Sequence, residues 1–184
     1  LEGGTLIDCG ANVGELGLWA ASHGMGYIGF EPEALEARCC DLNNFDGRAE
    51  THRKALWHET TTLAFFSKAE TADSSAFEVP GHSEKITVPA VALDDIVDTA
   101  SLPGPVVFKL EAEGAEPEVL QGARKSLAKV SYVAIDCGFE RGPGQDHTFV
   151  ETANFLTAAG FELVEAGFRR IAMLYKNTRV SDRG

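Results

Sequence analysis

TLIDCGANVGELGLWA, residues 5–20, decides the fold. Leu6, Ile7 and Cys9 around Asp8 make a short apolar run of the kind that forms a buried strand. Gly10, Asn12 and Gly14 follow at once, and a helical pattern opens behind them. A strand that ends in a glycine-rich turn and opens a helix is the usual mouth of a nucleotide site in a doubly wound sheet. Glycine there lets the backbone turn tightly and lets a ligand come close.

Charge discriminates among nucleotides. A dinucleotide fold needs Gly-x-Gly-x-x-Gly, so that pyrophosphate rests on the helix N-terminus. Here Asn12 and Glu15 stand at the second and third of those positions. Asp8 and Glu15 would repel a pyrophosphate, and they suit a ligand with a cationic centre and no phosphate. S-adenosylmethionine, with its sulfonium and ammonium groups, is such a ligand. The next apolar run, Tyr27 to Phe30, ends in Glu31-Pro32. Glu31 lies about 20 residues after Gly10, where an acidic residue grips a ribose diol. Its plainer role is a carboxylate at a helix start, with Pro32 at the first helical position. The two roles are compatible.

The 184 residues suffice for one domain with a full core, and the sequence predicts a single domain over residues 1–184. Leu1 stands a few residues before the first strand, so no N-terminal cap element is expected. No apolar run reaches the ~18 residues of a membrane span, and no secretory signal is visible. Cys9, Cys39, Cys40 and Cys137 lack zinc-type spacing and read as free thiols in a cytoplasmic protein. A net charge of −12 argues against a nucleic-acid partner.

Along the chain, Leu16 and Ala20 mark a first helix that stops near Gly24, and Leu35, Cys39 and Leu42 mark the face of a second. Asn43, Asn44 and Gly47 end it. A third strand is expected over 50–56, followed by Trp57, a candidate to stack on adenine or else to pack locally. Runs at 61–67, 74–79 and 86–91 predict hairpins punctuated by Pro80, Gly81 and Pro89. Asp94 is expected to cap a helix. Val106 to Leu110 is the next buried strand, with Lys109 inside it. Pro117 opens a helix with face Leu120, Ala123 and Leu127. A strand over 131–137, a glycine-rich loop over 138–146, and a helix marked by Phe149, Ala153 and Leu156 follow. Two last strands around a Gly167–Arg170 turn predict an antiparallel hairpin, and the tail from Asn177 should fray. The expected fold is therefore α/β: a doubly wound, mostly parallel seven-strand Rossmann-like sheet with a terminal antiparallel hairpin and a β-hairpin insertion.

Three stretches together, IDCGANVGELGLWA, IGFEP and FKLEAEGAEPEVLQGA, resemble the FkbM-type methyltransferase family of the class I fold. The resemblance covers most of residues 5–140. It implies S-adenosylmethionine as cofactor and O-methylation of a hydroxyl on a small molecule, sugar or glycan. It places cofactor contacts at Asp8, Gly10, Asn12, Gly14 and Glu31. The family's Lys-x-Asp-x-Glu-Gly-x-Glu pattern appears here as Lys109, Glu111, Glu113, Gly114 and Glu116, with Glu111 for Asp. Asp136 stands where the fifth strand commonly ends in Glu.

In such a sheet the fourth strand lies beside the first, which puts Glu111 near the reacting end of the cofactor. Glu111 is the first choice of general base, with Lys109 and Glu113 as supports and His147, beyond the glycine-rich loop, as a further candidate. Lys109, Glu111 and Glu113 also suit a structural ion pair, and clustered carboxylates suit magnesium, although no metal is expected. Two rivals stand beside the enzyme: a non-catalytic binding or interaction domain of the same fold, and an NAD or nucleotide-sugar enzyme, which the acidic turn disfavours.

Overall fold

The computed structural model describes residues 1–44, 49–68, 71–78 and 84–180. β1 (Thr5–Cys9) is buried at every position, as a strand covered on both faces should be. α1 (Glu15–Ser22), β2 (Gly26–Phe30), α2 (Ala34–Asn43) and β3 (Ala49–His52) continue the alternation. The strand expected over 50–56 is broken. β2 pairs Phe30 with His52 and then ends, so the chain loses its partner. It leaves the main sheet, and β4 (Ala55–Leu56) pairs elsewhere.

β5 (Thr61–Lys68), β6 (Thr71–Ser75) and β7 (Glu84–Val91) build a small second sheet in the order β4-β7-β5-β6. β6 lies earlier than the expected 74–79, because its register pairs Thr71 with Lys68 and Ser75 with Phe66. Gly47, Val79, Pro80 and Gly81 lie outside the described residues. Pro89 does not interrupt a strand. It sits within β7 opposite Thr62, before β4 takes up Ala90 and Val91. A proline is tolerated where the strand has no neighbour on its N–H side.

α3 (Leu93–Ile96) begins without a side-chain cap. Asp94 caps a different element. Its carboxylate accepts from the Lys125 and Ser126 amides and the Ser126 hydroxyl, at 2.9, 2.8 and 2.7 Å. Asp94 lies inside the first turn of α3, past the cap position, so its side chain serves the 3-10 turn Ser126–Ala128 instead.

β8 (Val106–Leu110), α4 (Glu116–Gln121) and β9 (Val130–Asp136) restore the parallel pattern. α4 is shorter than predicted, yet Leu120, Ala123 and Leu127 are all buried. The glycine-rich stretch is not a plain loop: β10 (Phe139–Arg141) and β11 (Asp146–His147) pair antiparallel within it. α5 (Phe149–Ala159), β12 (Phe161–Gly167) and β13 (Ala172–Asn177) close the fold.

The main sheet runs β12-β13-β9-β8-β1-β2-β3. Its pairings are parallel except those of β13, which runs against both β9 and β12. Strand order reverses between β1 and β8, which makes the carboxyl edge there the topological switch point. On one face, Val119 and Leu120 of α4 and Leu156 of α5 pack on Phe108, Leu110 and Ile135. On the other, Ala20 and Cys40 pack on Leu6, Met25 and Tyr27.

α2 does not bury the predicted face. Leu35 and Leu42 are exposed, while Ala37 and Cys40 are buried. Gly14 explains this. A Cβ on Gly14 would stand 2.6 Å from Cys40 Sγ, so α2 docks closely on bare backbone, where only small side chains fit. On the same face, β8, β9 and β13 carry Lys109, Ala134 and Leu174 along an open groove of about 510 Å³. The tail was expected to fray from Asn177, and at that residue it is held. Asn177 is buried, and its amide donates to the Leu127 and Val130 carbonyls at 3.1 and 2.9 Å. The four cysteines are free, and among the described residues no helix is long and apolar enough to cross a membrane.

Candidate functional site

A cleft of about 360 Å³ opens at the carboxyl edge of β1, β2 and β8. That volume lies within the range of small-molecule sites, roughly 300–1,000 Å³. Asp8, Gly10, Asn12, Glu31, Trp57, Lys109, Glu111 and Glu113 line it. Gly14 and His147 are not among the described lining residues. Gly14 faces α2, as its contact with Cys40 shows. His147 is exposed on β11, edge-on to the Phe139 ring at 5.7 Å.

The first turn is shaped from within. Gly10 has φ +76°, and a Cβ there would collide with the Glu111 carbonyl. Glycine is thus required for the close approach of β1 and β8, and the expected room for a ligand is a by-product. Asn12, at φ +47°, turns its amide to Glu31 Oε2 at 2.9 Å. Glu31 Oε1 accepts from the Glu33 amide at 2.9 Å. Burial pushes the Glu31 carboxyl up to about 7, against these two amide bonds, which pull it down. Glu31 therefore links the first turn to the start of α2, and its carboxylate keeps lone pairs for further donors.

Lys109 lies beside Asp8 in the β1–β8 register. Its ammonium is 3.0 Å from Asp8 Oδ1 and donates to the Cys9 and Gly10 carbonyls at 3.0 and 2.8 Å. Glu111 Oε2 is farther, at 3.4 Å. The predicted ion-pair partners were Glu111 and Glu113, and the short ion pair is with Asp8. Burial alone would lower the pKa of Lys109, but Asp8 and Glu111 outweigh it, so the ammonium stays charged. Asp8 is 1% exposed, and its other oxygen accepts from the Tyr27 hydroxyl at 2.9 Å.

Arg170, which the sequence did not single out, reaches this end of the cleft from the β12–β13 turn. Its Nη2 is 3.0 Å from Glu111 Oε1, and its Nε is 3.1 Å from Asp136 Oδ2. Asp136 lines the open groove and not the cleft. Glu140 stands nearby with Oε2 buried and without a hydrogen-bond partner. Burial, reinforced by Asp136, Glu116 and Glu111, pushes its carboxyl up to about 7.

The loop after β8 is held from three sides. Glu116 is buried and accepts from the Ala112 and Gly114 amides at 2.9 and 3.1 Å and from the Thr148 hydroxyl at 2.7 Å. Arg141 forms a two-pronged pair with Glu118 at 2.8 and 2.6 Å. Ser75 of the small sheet donates to the Glu113 carbonyl at 2.7 Å, while Ser74 donates to Glu33 at 2.8 Å. The small sheet thereby joins both banks of the cleft. It also supplies an apolar wall of Ala55, Leu56, Leu63, Phe65 and Ala76 beside Trp57. Glu116 stood in the quoted motif, whereas the serines carry no pattern that a sequence alone would flag.

The donor set suits a zwitterionic nucleoside: an apolar wall with an indole for a base, a buried carboxylate for a diol, and mixed charge at the far end. Among the described residues no group of three or more His, Cys, Asp or Glu is placed to hold a metal ion.

A protein-family model described as the methyltransferase FkbM domain matches residues 8–163. No curated protein sequence matches the chain. Solved structures similar in fold include a candidate tRNA methyltransferase from Streptococcus pneumoniae. It is 11% identical with a TM-score of 0.56, over 98% of this chain and 66% of that one. A candidate S-adenosylmethionine-dependent methyltransferase from Listeria monocytogenes is 10% identical with a TM-score of 0.57, over 96% and 91%. Magnesium protoporphyrin IX methyltransferase from Synechocystis, solved with bound SAM, is 12% identical with a TM-score of 0.54, over 96% and 71%. The chain spans just under two thirds of the first two structures it matches, 66% and 64% of their lengths.

Proposed function

The chain belongs to the FkbM methyltransferase family, and from that premise we propose that it binds S-adenosylmethionine in the β1–β8 cleft and methylates a hydroxyl of a small molecule, sugar or glycan. The observation that carries this reading is Glu31, a buried carboxylate fixed by two backbone amides at the lip of the cleft. Its remaining lone pairs suit the two hydroxyls of a ribose. Trp57 with Leu63 and Phe65 offers the apolar wall for adenine. When bound, the cofactor supplies an electrophilic methyl group on a positively charged sulfur.

The chain's own residues do the rest. Lys109 fixes the end of β1 by gripping the Cys9 and Gly10 carbonyls, and with it the wall against which the reacting groups align. Asp8 acts through Lys109 and Tyr27 and holds that wall in place. Glu111, at the reacting end, accepts the proton of the acceptor hydroxyl on a carboxylate oxygen. Glu113 shares the cleft with it. The cleft carries Glu111 and Glu113, the adjoining groove carries Asp136 and Glu165, and the chain has a net charge of −12. Such surroundings favour a neutral polyhydroxylated acceptor over a polyphosphate one.

Calorimetry with S-adenosylhomocysteine tests the cofactor assignment. Glu31→Ala should weaken binding by about 10- to 100-fold, the loss of one or two charge-assisted hydrogen bonds. Glu111→Gln should keep affinity within a few-fold and cut methyl transfer by roughly 10²-fold. An unchanged dissociation constant in Glu31→Ala would remove Glu31 from the site.

A further inference from the structure

Among the described residues that line the cleft, two are cationic, Lys109 and Arg170. Lys109 donates to the Cys9 and Gly10 carbonyls and is ion-paired with Asp8 at 3.0 Å and Glu111 at 3.4 Å. Two carboxylates already face its buried charge. Arg170 differs. A guanidinium carries five N–H donors, and two of them reach Glu111 and Asp136. Its side chain is 65% exposed. Its backbone is fixed all the same, because the neighbouring Ile171 carbonyl accepts from the Cys137 amide at 2.9 Å, at the end of β9.

This placement bears on the amino-acid end of the cofactor. That end carries a carboxylate as well as an ammonium. Glu111 and Glu113 line the cleft where β8 ends, and Asp136 flanks Arg170, so a bare carboxylate arriving there would be repelled. The available counter-charge is Arg170. Building on the S-adenosylmethionine reading above, we propose that Arg170 receives the α-carboxylate of the cofactor, its Nε remaining on Asp136 while its Nη2 leaves Glu111. The exchange swaps one carboxylate partner for another, so the guanidinium stays paired throughout. It also releases Glu111 Oε1, the oxygen Arg170 masks at 3.0 Å. The step that fixes the cofactor thus uncovers a proton acceptor for the hydroxyl to be methylated. Arg suits this double duty because its planar fork holds two carboxylates at once.

The test compares S-adenosylhomocysteine with its decarboxylated analogue, which keeps the adenosine, the sulfur and the amine. Calorimetry on the whole chain should show the wild type preferring S-adenosylhomocysteine by about ten- to thirtyfold, the size of one charge-assisted hydrogen bond. Arg170→Ala should erase that preference to within about twofold and leave the affinity for the decarboxylated analogue unchanged. Arg170→Lys should keep part of the preference. A preference that survives in Arg170→Ala overturns the proposal. So does an equal loss for both ligands, which would mark Arg170 as a residue that only shapes the turn. If the wild type binds neither compound, the cofactor reading itself fails, a result distinct from either of these.

Discussion

Lys109 shows how much a single residue can carry. It sits inside an apolar strand, and its ammonium ties β8 to the end of β1 through two carbonyls and Asp8. Removing one partner of a buried pair strands the other charge, at a cost of about 3–5 kcal/mol. Lys109→Met should therefore lower stability by roughly that amount in urea titrations, and Asp8→Asn in the same chain should recover part of it. A loss below about 1 kcal/mol would show that Asp8 does not depend on Lys109. The residue types were legible in the sequence, and so was the need of a strand lysine for a carboxylate. The choice of Asp8 was not legible, because it follows from a register between strands about 100 residues apart. Glu31 was legible for the opposite reason, since its distance from Gly10 is a local spacing. Arg170 was invisible because the sheet order alone brings its turn to the cleft.

At the scale of elements, the loop after β8 is held in place by Glu116. Its carboxylate satisfies the Ala112 and Gly114 amides and the Thr148 hydroxyl. Glu116→Ala should cost about 2–4 kcal/mol, since two amides and a hydroxyl lose their acceptor at once. Amide hydrogen exchange at Ala112 and Gly114 should speed up in step, and protection equal to wild type at both would refute the anchoring role. Periodicity located α1, α2 and α5 but chose the wrong face of α2. Leucines at helical spacing predict a buried stripe, yet the docking surface is backbone at Gly14, which admits Cys40 and Ala37 and leaves Leu35 and Leu42 in solvent. Asp94 shows the same limit. Its type announces a cap, and tertiary structure decides which element it caps.

For the whole molecule, the buried acids give stability an unusual pH dependence. Glu31 and Glu140 are each pushed from 4.5 up to about 7 by burial. Between those values the folded chain holds protons that the unfolded chain has released. This contribution is complete below about pH 4.5 and is lost as pH rises through 7. For Glu31 the loss is on the order of 3 kcal/mol. Scanning calorimetry should find Tm falling between pH 5 and 8, with a smaller fall in Glu31→Gln/Glu140→Gln. A Tm that is flat or rising over that interval would rule this out. The overall topology was the most legible level, because strand–helix alternation and a terminal hairpin are written in local patterns. The joining of the small sheet to the main one was not, since it depends on two hydroxyls. Ser74 and Ser75 bond to opposite banks of the cleft. Its width is therefore decided when the chain folds. The conformational entropy of ordering three distant segments is lost once, at that moment, and an arriving ligand meets walls that are already preorganised.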